Sequence, residues 1–419
     1  MREMKDSGFG WLGKVPTNWK VERLQWHLYE INVKNNPIRT TNVLSLTNKK
    51  GVIPYEEKGA QGNISKENYN EYHLAYKDTI VANSMNILIG SVGYSDYYGC
   101  VSPVYYVFKE KEDNDLHFFN YIMQTTQFQR ELRKYANGIL EIRLRVSSDD
   151  ILKRMIAVPE YGEQREIATY LGEQCKKIDE IIADIQNQID TLEDYKKSVI
   201  SEAVTKGLDP DAKITKSRIF YMAPYNEEWY LTKIGYCCKK LWRTFVPEDT
   251  ALICTNKGKV SVRPEEMTGK MVSEDNAMQG IKKGDIAIHG MDTWHGSVAY
   301  SDYDGKITRV VHVCDSTEDK RFVVYYLQQL AFNGVYKLIS NGIRGNTSDF
   351  RSWDKVADIY IALPKVDEQH RISDYLDKKC AEIDSIIEDK KVQLETIENY
   401  KKSLIYEFVT GKKEVPENE

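Results

Sequence analysis

The sequence predicts an α+β chain that is built twice, as two mixed α/β domains that are each followed by a long helix. Three observations predict it. The stretch IAVPEYGEQREIATYL that begins at Ile156 returns as IALPKVDEQHRISDYL at Ile361, 205 residues later. Within both copies apolar residues then recur at alternating steps of three and four for about five heptads, the pattern of a helix with one buried seam. The segments that precede the copies carry matching landmarks in the same order, although the residues between the landmarks differ.

A chain of 419 residues is long enough for two or more domains that each bury a core. Its hydrophobic share of 41% and charged share of 29% are those of a globular protein, and no window approaches the ~18 consecutive apolar residues of a membrane span. MREMKDSGFGWLG lacks the apolar core of an export signal, so the expected location is the cytoplasm, with no membrane partner. Seven cysteines without a CxxC pair do not make a disulfide framework or a zinc site. Cys237 and Cys238 are read as neighbouring packing residues rather than a redox pair, and Cys175 and Cys380 hold matching places in the repeat.

Charge divides along the same lines. The net of -5 is the sum of +3 over residues 1–155, -5 over 156–207, +1 over 208–360 and -4 over 361–419. The acid therefore sits in the two repeated segments, and the regions between them are free to approach a polyanion.

Taken in order, residues 1–155 form a first domain, 156–207 a spacer helix, 208–360 a second domain, 361–412 a second spacer helix and 413–419 a tail. Aligned at the constant offset, residues 156–205 and 361–410 agree at 25 of 50 positions. The first seam runs through Leu171, Cys175, Ile178, Ile182, Ile185, Ile189 and Leu192, and on to Val199 and Ala203. The second runs through Leu376, Cys380, Ile383, Ile387, Leu394, Ile397, Leu404 and Phe408. Lys196 and Lys401 interrupt the seams at equivalent places, as does Lys390 in the second, and are expected to snorkel to solvent. Pro159 and Pro364 precede the helices, where a missing amide donor does least harm. Gly207 and Gly411 stand where a left-handed cap is wanted. Each helix should run for roughly 40 residues, or about 60 Å. Such helices can bury each other's stripe, and the periodicity leaves parallel and antiparallel pairing open.

Between the helices, Ser7 and Trp19 in KDSGFGWLGKVPTNWKV are spaced like Ser217 and Trp229 in TKSRIFYMAPYNEEWYL. LSLTNKKGV at Leu44 matches LICTNKGKV at Leu252, GSVGYSDYYG at Gly90 matches GSVAYSDYDG at Gly296, and NGI recurs at Asn137 and Asn341. Short β-branched runs at Asp78–Ala82 and Val104–Phe108 predict strands, and Phe118–Tyr135 and Arg321–Leu338 predict helices.

These residues carry a family resemblance. The SGFGWLGKVPTNWKVERL opening, the P-x-x-x-E-Q-x-x-I-x-x-Y-L helix entrance and the Y-K-K-S-x-I-x-E-x-V-T helix exit, followed once by KGLDP, resemble the specificity (S) subunits of type I restriction-modification systems over nearly the whole chain. The resemblance implies two target-recognition domains held apart by two helices packed as an antiparallel coiled coil, with a pseudo-two-fold, cyclic internal repeat. Each domain would read one half of a bipartite double-stranded DNA target, while the helices set the unread spacer. Two modification (methyltransferase) subunits would dock on this chain and a restriction (motor endonuclease) subunit would join them. S-adenosylmethionine, ATP and magnesium would then belong to those partners and no cofactor to this chain. The second domain departs from the pattern, since MAPYNEEWYL lacks the W-x-G-x-x-P form of WLGKVP.

The motifs that chemistry would need are missing from the sequence. There is no GxxxxGK[ST] phosphate loop, NNPI at Asn35 is not a methyltransferase tetrad, and GSVG at Gly90 reads as a turn. His289, Asp292 and His295 in HGMDTWH lack a standard zinc spacing, so neither a catalytic nor a metal residue is assigned. Base edges favour Arg, Lys, Asn and Gln, which points to Lys49, Lys50, Arg143 and Arg145 in the first domain. In the second it points to Lys257, Lys259, Arg344, Asn346 and Arg351. The near-neutral domain charges also fit an alternative, a non-catalytic coiled-coil adaptor with two protein-binding domains.

Overall fold

The computed structural model describes residues 2–47, 51–58, 68–138, 144–267, 277–340 and 349–416. The chain divides into two compact units, Met1–Gln186 with Val392–Glu419, and Asn187–Lys391. Each unit therefore takes one half of each long helix, whose full extents are Tyr161–Lys206 and Val366–Val409.

In the first unit, four antiparallel strands lie in the order Leu28–Glu30, Tyr105–Glu110, Thr79–Asn83, Val92–Ser95. Thr79–Asn83 is buried along its whole length. Its residues alternate between two cores, as a pleated strand covered on both faces must. Ile80 and Ala82 join a large cluster with Phe108, Phe118, Phe119 and Phe128. Val81 joins a smaller one with Leu44, Leu46, Val52 and Val107. The large cluster continues without a break into the helices, through Ile167, Leu171, Cys175 and Ile178 of the first and Leu404, Ile405, Phe408 and Val409 of the second.

The second unit repeats this plan. Its four strands are ordered Cys238–Lys240, Val311–Ser316, Ile286–His289, Val298–Tyr300. Ile286 and Ile288 face the core that includes Phe322, Leu327, Ile372, Leu376 and Cys380, and Ala287 faces a second core with Leu252, Val260 and Val313. Trp19 meets Phe118 edge-on at 6.3 Å between ring centroids, and Trp229 meets Phe322 the same way at 6.0 Å.

Two expectations are refined by the structure. The predicted helix over Phe118–Tyr135 is two helices, Leu116–Gln124 and Thr126–Arg133. Thr125 takes an extended backbone between them, and its hydroxyl accepts from Phe128 N–H while donating to the Ile122 carbonyl. Likewise Arg321–Leu338 divides into Lys320–Phe332 and Val335–Ile339 at Gly334, whose φ is +69°. The apolar spacing runs through both breaks and so hides them. The duplicated stretches also begin as strands, since Met155–Val158 pairs antiparallel with Lys20–Arg23, and Tyr360–Leu363 with Tyr230–Lys233. Both long helices then close on left-handed glycines, Gly207 at +85° and Gly411 at +68°.

Helix pairing is antiparallel inside each unit. In the first, Lys401 Nζ lies 2.6 Å from Asp179 Oδ1, and the Tyr170 and Phe408 rings are 4.8 Å apart. In the second, Lys196 Nζ lies 2.6 Å from Asp384 Oδ1, and Lys390 Nζ donates to Gln188 Oε1 at 2.6 Å. The three seam lysines, expected only to snorkel, thus each reach an acceptor on the other helix. Partly exposed pairs of this kind contribute about 0–1 kcal/mol, so their value lies in fixing register.

All seven cysteines are free and buried. Burial pushes the Cys175 thiol up to about 11 and Cys254 to about 12, which leaves them protonated and unreactive. Cys237 and Cys238 hold their sulfurs 3.9 Å apart, consistent with the packing role read from the sequence.

One buried histidine makes the second unit sensitive to acid. His312 is 1% exposed, its Nε2–H donates to the Phe350 carbonyl at 2.7 Å, and its Nδ1 has no partner. Burial holds its pKa below the ordinary imidazole value. The unfolded chain therefore takes up a proton first, and stability present above about pH 6.5 is lost as pH falls through that value. Urea unfolding at pH 7.5 and pH 5.5 should show the loss, and His312→Phe should reduce it; an unchanged pH dependence in that variant would reject the assignment.

Candidate nucleic-acid interface

The two units build the same irregular rim from different residues. After strand Thr79–Asn83 the chain makes a short turn at Ile87–Ile89 that ends on Gly90 with φ +90°, and after Ile286–His289 it makes one at Thr293–His295 that ends on Gly296 with φ +83°. Asn83 Oδ1 accepts from Met85 N–H at 3.0 Å. At the matching place His289 Nδ1 accepts from Met291 N–H at 3.3 Å and Asp292 N–H at 3.1 Å. His289 is thus a turn cap, its lone pair engaged and its pKa lowered by burial. No group of three metal-ligating side chains occurs among the described residues.

A second segment docks onto each turn. Val146 N–H donates to the Ser84 carbonyl, and Phe350 N–H to the Gly290 carbonyl, both at 3.0 Å. In the first unit Asn137 and Arg145 exchange two backbone hydrogen bonds of 2.8 Å just before this point, leaving the Arg145 side chain exposed at the rim. In the second unit Arg351 is exposed beside the turn, with Nη2 3.0 Å from Met291 Sδ. A side chain at Gly290 would come within 2.8 Å of the Phe350 carbonyl, so glycine is what permits the two segments to approach.

Lys257 sits on a third loop, closed by Thr255 N–H to Lys259 O at 2.9 Å and carried over Gly258 at φ +69°. A Cβ at Gly296 would lie 3.8 Å from Asn256 O, which places this loop against the Thr293–His295 turn. The structure thus gathers Lys257 and Arg351 around one rim. Lys259 turns elsewhere, its Nζ 3.9 Å from Asp384 Oδ2 on the second long helix. Lys49, Lys50, Arg143, Arg344 and Asn346 lie outside the described residues.

Of the seam residues, Leu171, Ile178, Ile185, Ile189, Leu376, Ile383, Ile387 and Leu404 are buried, and Ile182, Leu192, Leu394 and Ile397 are half-buried. The sequence reading passed over GYCCKKLWR. Tyr236 and Trp242 flank the sheet-edge strand Cys238–Lys240 at 82% and 68% exposure, with Lys240 Nζ 4.5 Å from the Trp242 ring centre. Aromatics interleaved with basic residues, a signal of nucleic-acid surfaces, were there to be read. The neighbouring Arg243 is engaged, its guanidinium donating to both oxygens of the buried Asp285 at 2.6 and 2.7 Å.

Each spacer helix is joined to its domain by a buried amide. Gln164 Oε1 accepts from Asp115 N–H at 2.9 Å and its Nε2 donates to the Pro159 carbonyl at 3.0 Å. Gln369 makes the same two bonds, to Asp319 N–H at 3.0 Å and the Pro364 carbonyl at 2.9 Å, and adds Glu318 Oε2 at 2.7 Å. Asp115 and Asp319 in turn cap the helices at Leu116 and Lys320 by accepting from Phe118 and Phe322 N–H. Burial alone would raise the Asp319 carboxyl, but bonds from Phe322 N–H, Ser373 and His370 outweigh it and hold it below the ordinary carboxylate value.

Residues 16–191 match the family model of the type I restriction modification DNA specificity domain. Two curated proteins of Methanocaldococcus jannaschii are similar along almost the whole chain. The putative type I restriction enzyme MjaX specificity subunit is 22% identical, covering 96% of this chain and 95% of its own length. The type I restriction enzyme MjaVIII specificity subunit is 24% identical, covering 95% and 94%. Among solved structures, a chain from work on complex assembly and conformational transition of the type I R-M system superposes with a TM-score of 0.69 at 12% identity, covering 95% of this chain and 99% of its own. That likeness bears out the α+β fold with its two domains and long helices. No described helix is long and apolar enough to cross a membrane.

Proposed function

We propose that this chain, a relative of type I restriction-modification specificity subunits along nearly its whole length, selects the DNA sequence on which partner subunits act. Each target-recognition domain reads one half of a bipartite double-stranded target, and the shared helices set the gap between the halves. Two methyltransferase subunits dock on the chain and a motor endonuclease joins them. The chain itself carries no catalytic role; S-adenosylmethionine, ATP and magnesium are held by the partners.

One observation carries this reading. The two units share sheet order, turn geometry, caps and helix joint, yet differ along the turns after the central strand, with NSMNILIG in one and HGMDTWHG in the other, of which Asn86, Ile89 and His295 are exposed. A scaffold kept while its rims diverge suits two readers of different half-sites, and a protein dyad is matched by paired half-sites in DNA.

The test uses the chain purified with its modification subunits. Methylated bases mapped on genomic DNA should form a two-part motif with a fixed gap, and the affinity for that DNA should fall linearly in log–log form with added salt. A continuous motif would overturn the reading, and binding indifferent to both DNA and salt would favour the protein adaptor.

A further inference from the structure

The turn after each central strand keeps its backbone and changes its exposed side chains. In both units a hydrogen bond between residues three apart closes it, from Ile89 N–H to the Asn86 carbonyl and from His295 N–H to the Asp292 carbonyl, each at 3.0 Å. Asn86 stands at φ -115° and ψ 3°, Asp292 at φ -118° and ψ 14°, and a left-handed glycine ends both turns. Ile87 and Thr293 anchor them, each 0% exposed. In a 3-10 turn, side chains three positions apart eclipse, so Asn86 stands beside Ile89 and Asp292 beside His295. The second pair shows this directly, with His295 Nδ1 3.7 Å from Asp292 Oδ1. One frame thus presents two neighbouring side chains at the same place in either unit.

All four side chains reach solvent. Asn86 is exposed, Ile89 is 66% exposed, and the side chains of Asp292 and His295 are 48% and 53% exposed. Core packing therefore does not choose them, yet both positions change in kind, from an amide and an aliphatic chain to a carboxylate and an imidazole. A cation flanks each turn: Arg145 precedes Val146, whose N–H donates to the Ser84 carbonyl, and Arg351 Nη2 lies 3.0 Å from Met291 Sδ. Such cations position phosphate without reading bases, so selection falls to the paired side chains. A carboxylate is repelled by phosphate, which makes Asp292 costly beside DNA unless it meets a donor on a base edge.

We propose that Asn86 with Ile89, and Asp292 with His295, are the base-reading pairs of the two domains, the first demanding A·T and the second G·C. The proposal rests on the reading above that each domain reads one half-site. Asn86 takes adenine, its amide donating to N7 and accepting from the N6 amino group, and Ile89 covers a thymine methyl. Asp292 accepts from the N4 amino group of cytosine, and His295 donates to N7 or O6 of guanine. Three residues of a 3-10 turn rise about 6 Å at ~2.0 Å each, so each pair spans no more than two base steps of ~3.4 Å. These base pairs are distinct from the one that the partners methylate, because a reacting base leaves the stack.

Exchanging the pairs tests this in the full chain co-purified with its modification subunits, through the duplexes it retains from pools randomised in one half of the mapped motif. Asn86→Asp with Ile89→His should turn an A·T position of the first half-site into G·C and leave the second half as it was. Asp292→Asn with His295→Ile should do the reverse in the second half alone. Each pair already sits on the same backbone in the other unit, so the variants should fold, which far-UV circular dichroism checks. A further measurement needs no variant: deoxyuridine in place of the thymine read by Ile89 should weaken wild-type binding about fourfold, the worth of one buried methyl. A half-site that keeps its wild-type bases after the exchange, one that loses A·T without gaining G·C, or equal affinity for the deoxyuridine duplex would overturn the pairs while leaving the specificity reading intact. A wild-type complex that retains duplexes without regard to sequence would instead overturn that reading.

Discussion

Exchanging residues 208–360 for the second domain of another specificity subunit is expected to replace one half of the methylation motif and to leave the other half unchanged. The reason lies in how each unit is assembled. The rim turns differ between units, whereas contacts that join each domain to its helices recur in kind: Trp19 and Trp229 against phenylalanine, and the Asp115 and Asp319 backbone N–H groups against the helix-entrance glutamine. A graft that brings its own tryptophan and capping aspartate offers Gln369, Ile372 and Leu376 the surface they already bury. Mapping methylated bases in cells that carry the chimaera reads the outcome. A change in both halves would contradict the assignment of one domain to one half-site.

The largest effect of a single substitution is expected at Gln369. Its side chain is 0% exposed, and Gln369→Ala would leave the Asp319 N–H and the Pro364 carbonyl buried without partners. Each orphaned group costs about 1–3 kcal/mol, and the vacated volume adds to that, for a total of about 3–5 kcal/mol. Against the ~5–15 kcal/mol that holds a typical domain, such a loss would remove a large share of the unit's stability. Gln164→Ala, which removes two bonds instead of three, should cost about 1 kcal/mol less. Urea unfolding followed by circular dichroism would measure both, and a loss below about 1 kcal/mol at Gln369 would show that water replaces the amide.

The repeat, the buried seams and the glycine caps were legible because each rests on local spacing. Periodicity shows that a helix face is buried and not what buries it. Leu171 and Cys175 therefore looked like coiled-coil residues, although they complete a domain core with Phe118 and Phe128. Helix direction came from resemblance alone, since the ion pairs that fix it join residues 222 and 188 apart in sequence. His289 invited a metal reading as long as it was compared with motifs; set beside Asn83 it is a turn cap. The candidate rim was half legible. Arg145, Lys257 and Arg351 were chosen by residue type and by proximity to matched landmarks, whereas Lys240 and Trp242 lie in a legible aromatic and basic run whose place on a sheet edge only the fold shows.

The joint between domain and helix rests largely on neutral amides bonded to backbone groups, Gln164 to Asp115 and Pro159, Gln369 to Asp319 and Pro364, with the Glu318 carboxylate as a charged partner of Gln369. Dissolved ions screen charges and leave such bonds nearly untouched. If the rims hold DNA as proposed, raising the salt should strip phosphates from them while these amide bonds stay in place. The slope of that titration then counts contacts on the nucleic acid, free of any contribution from a scaffold coming apart.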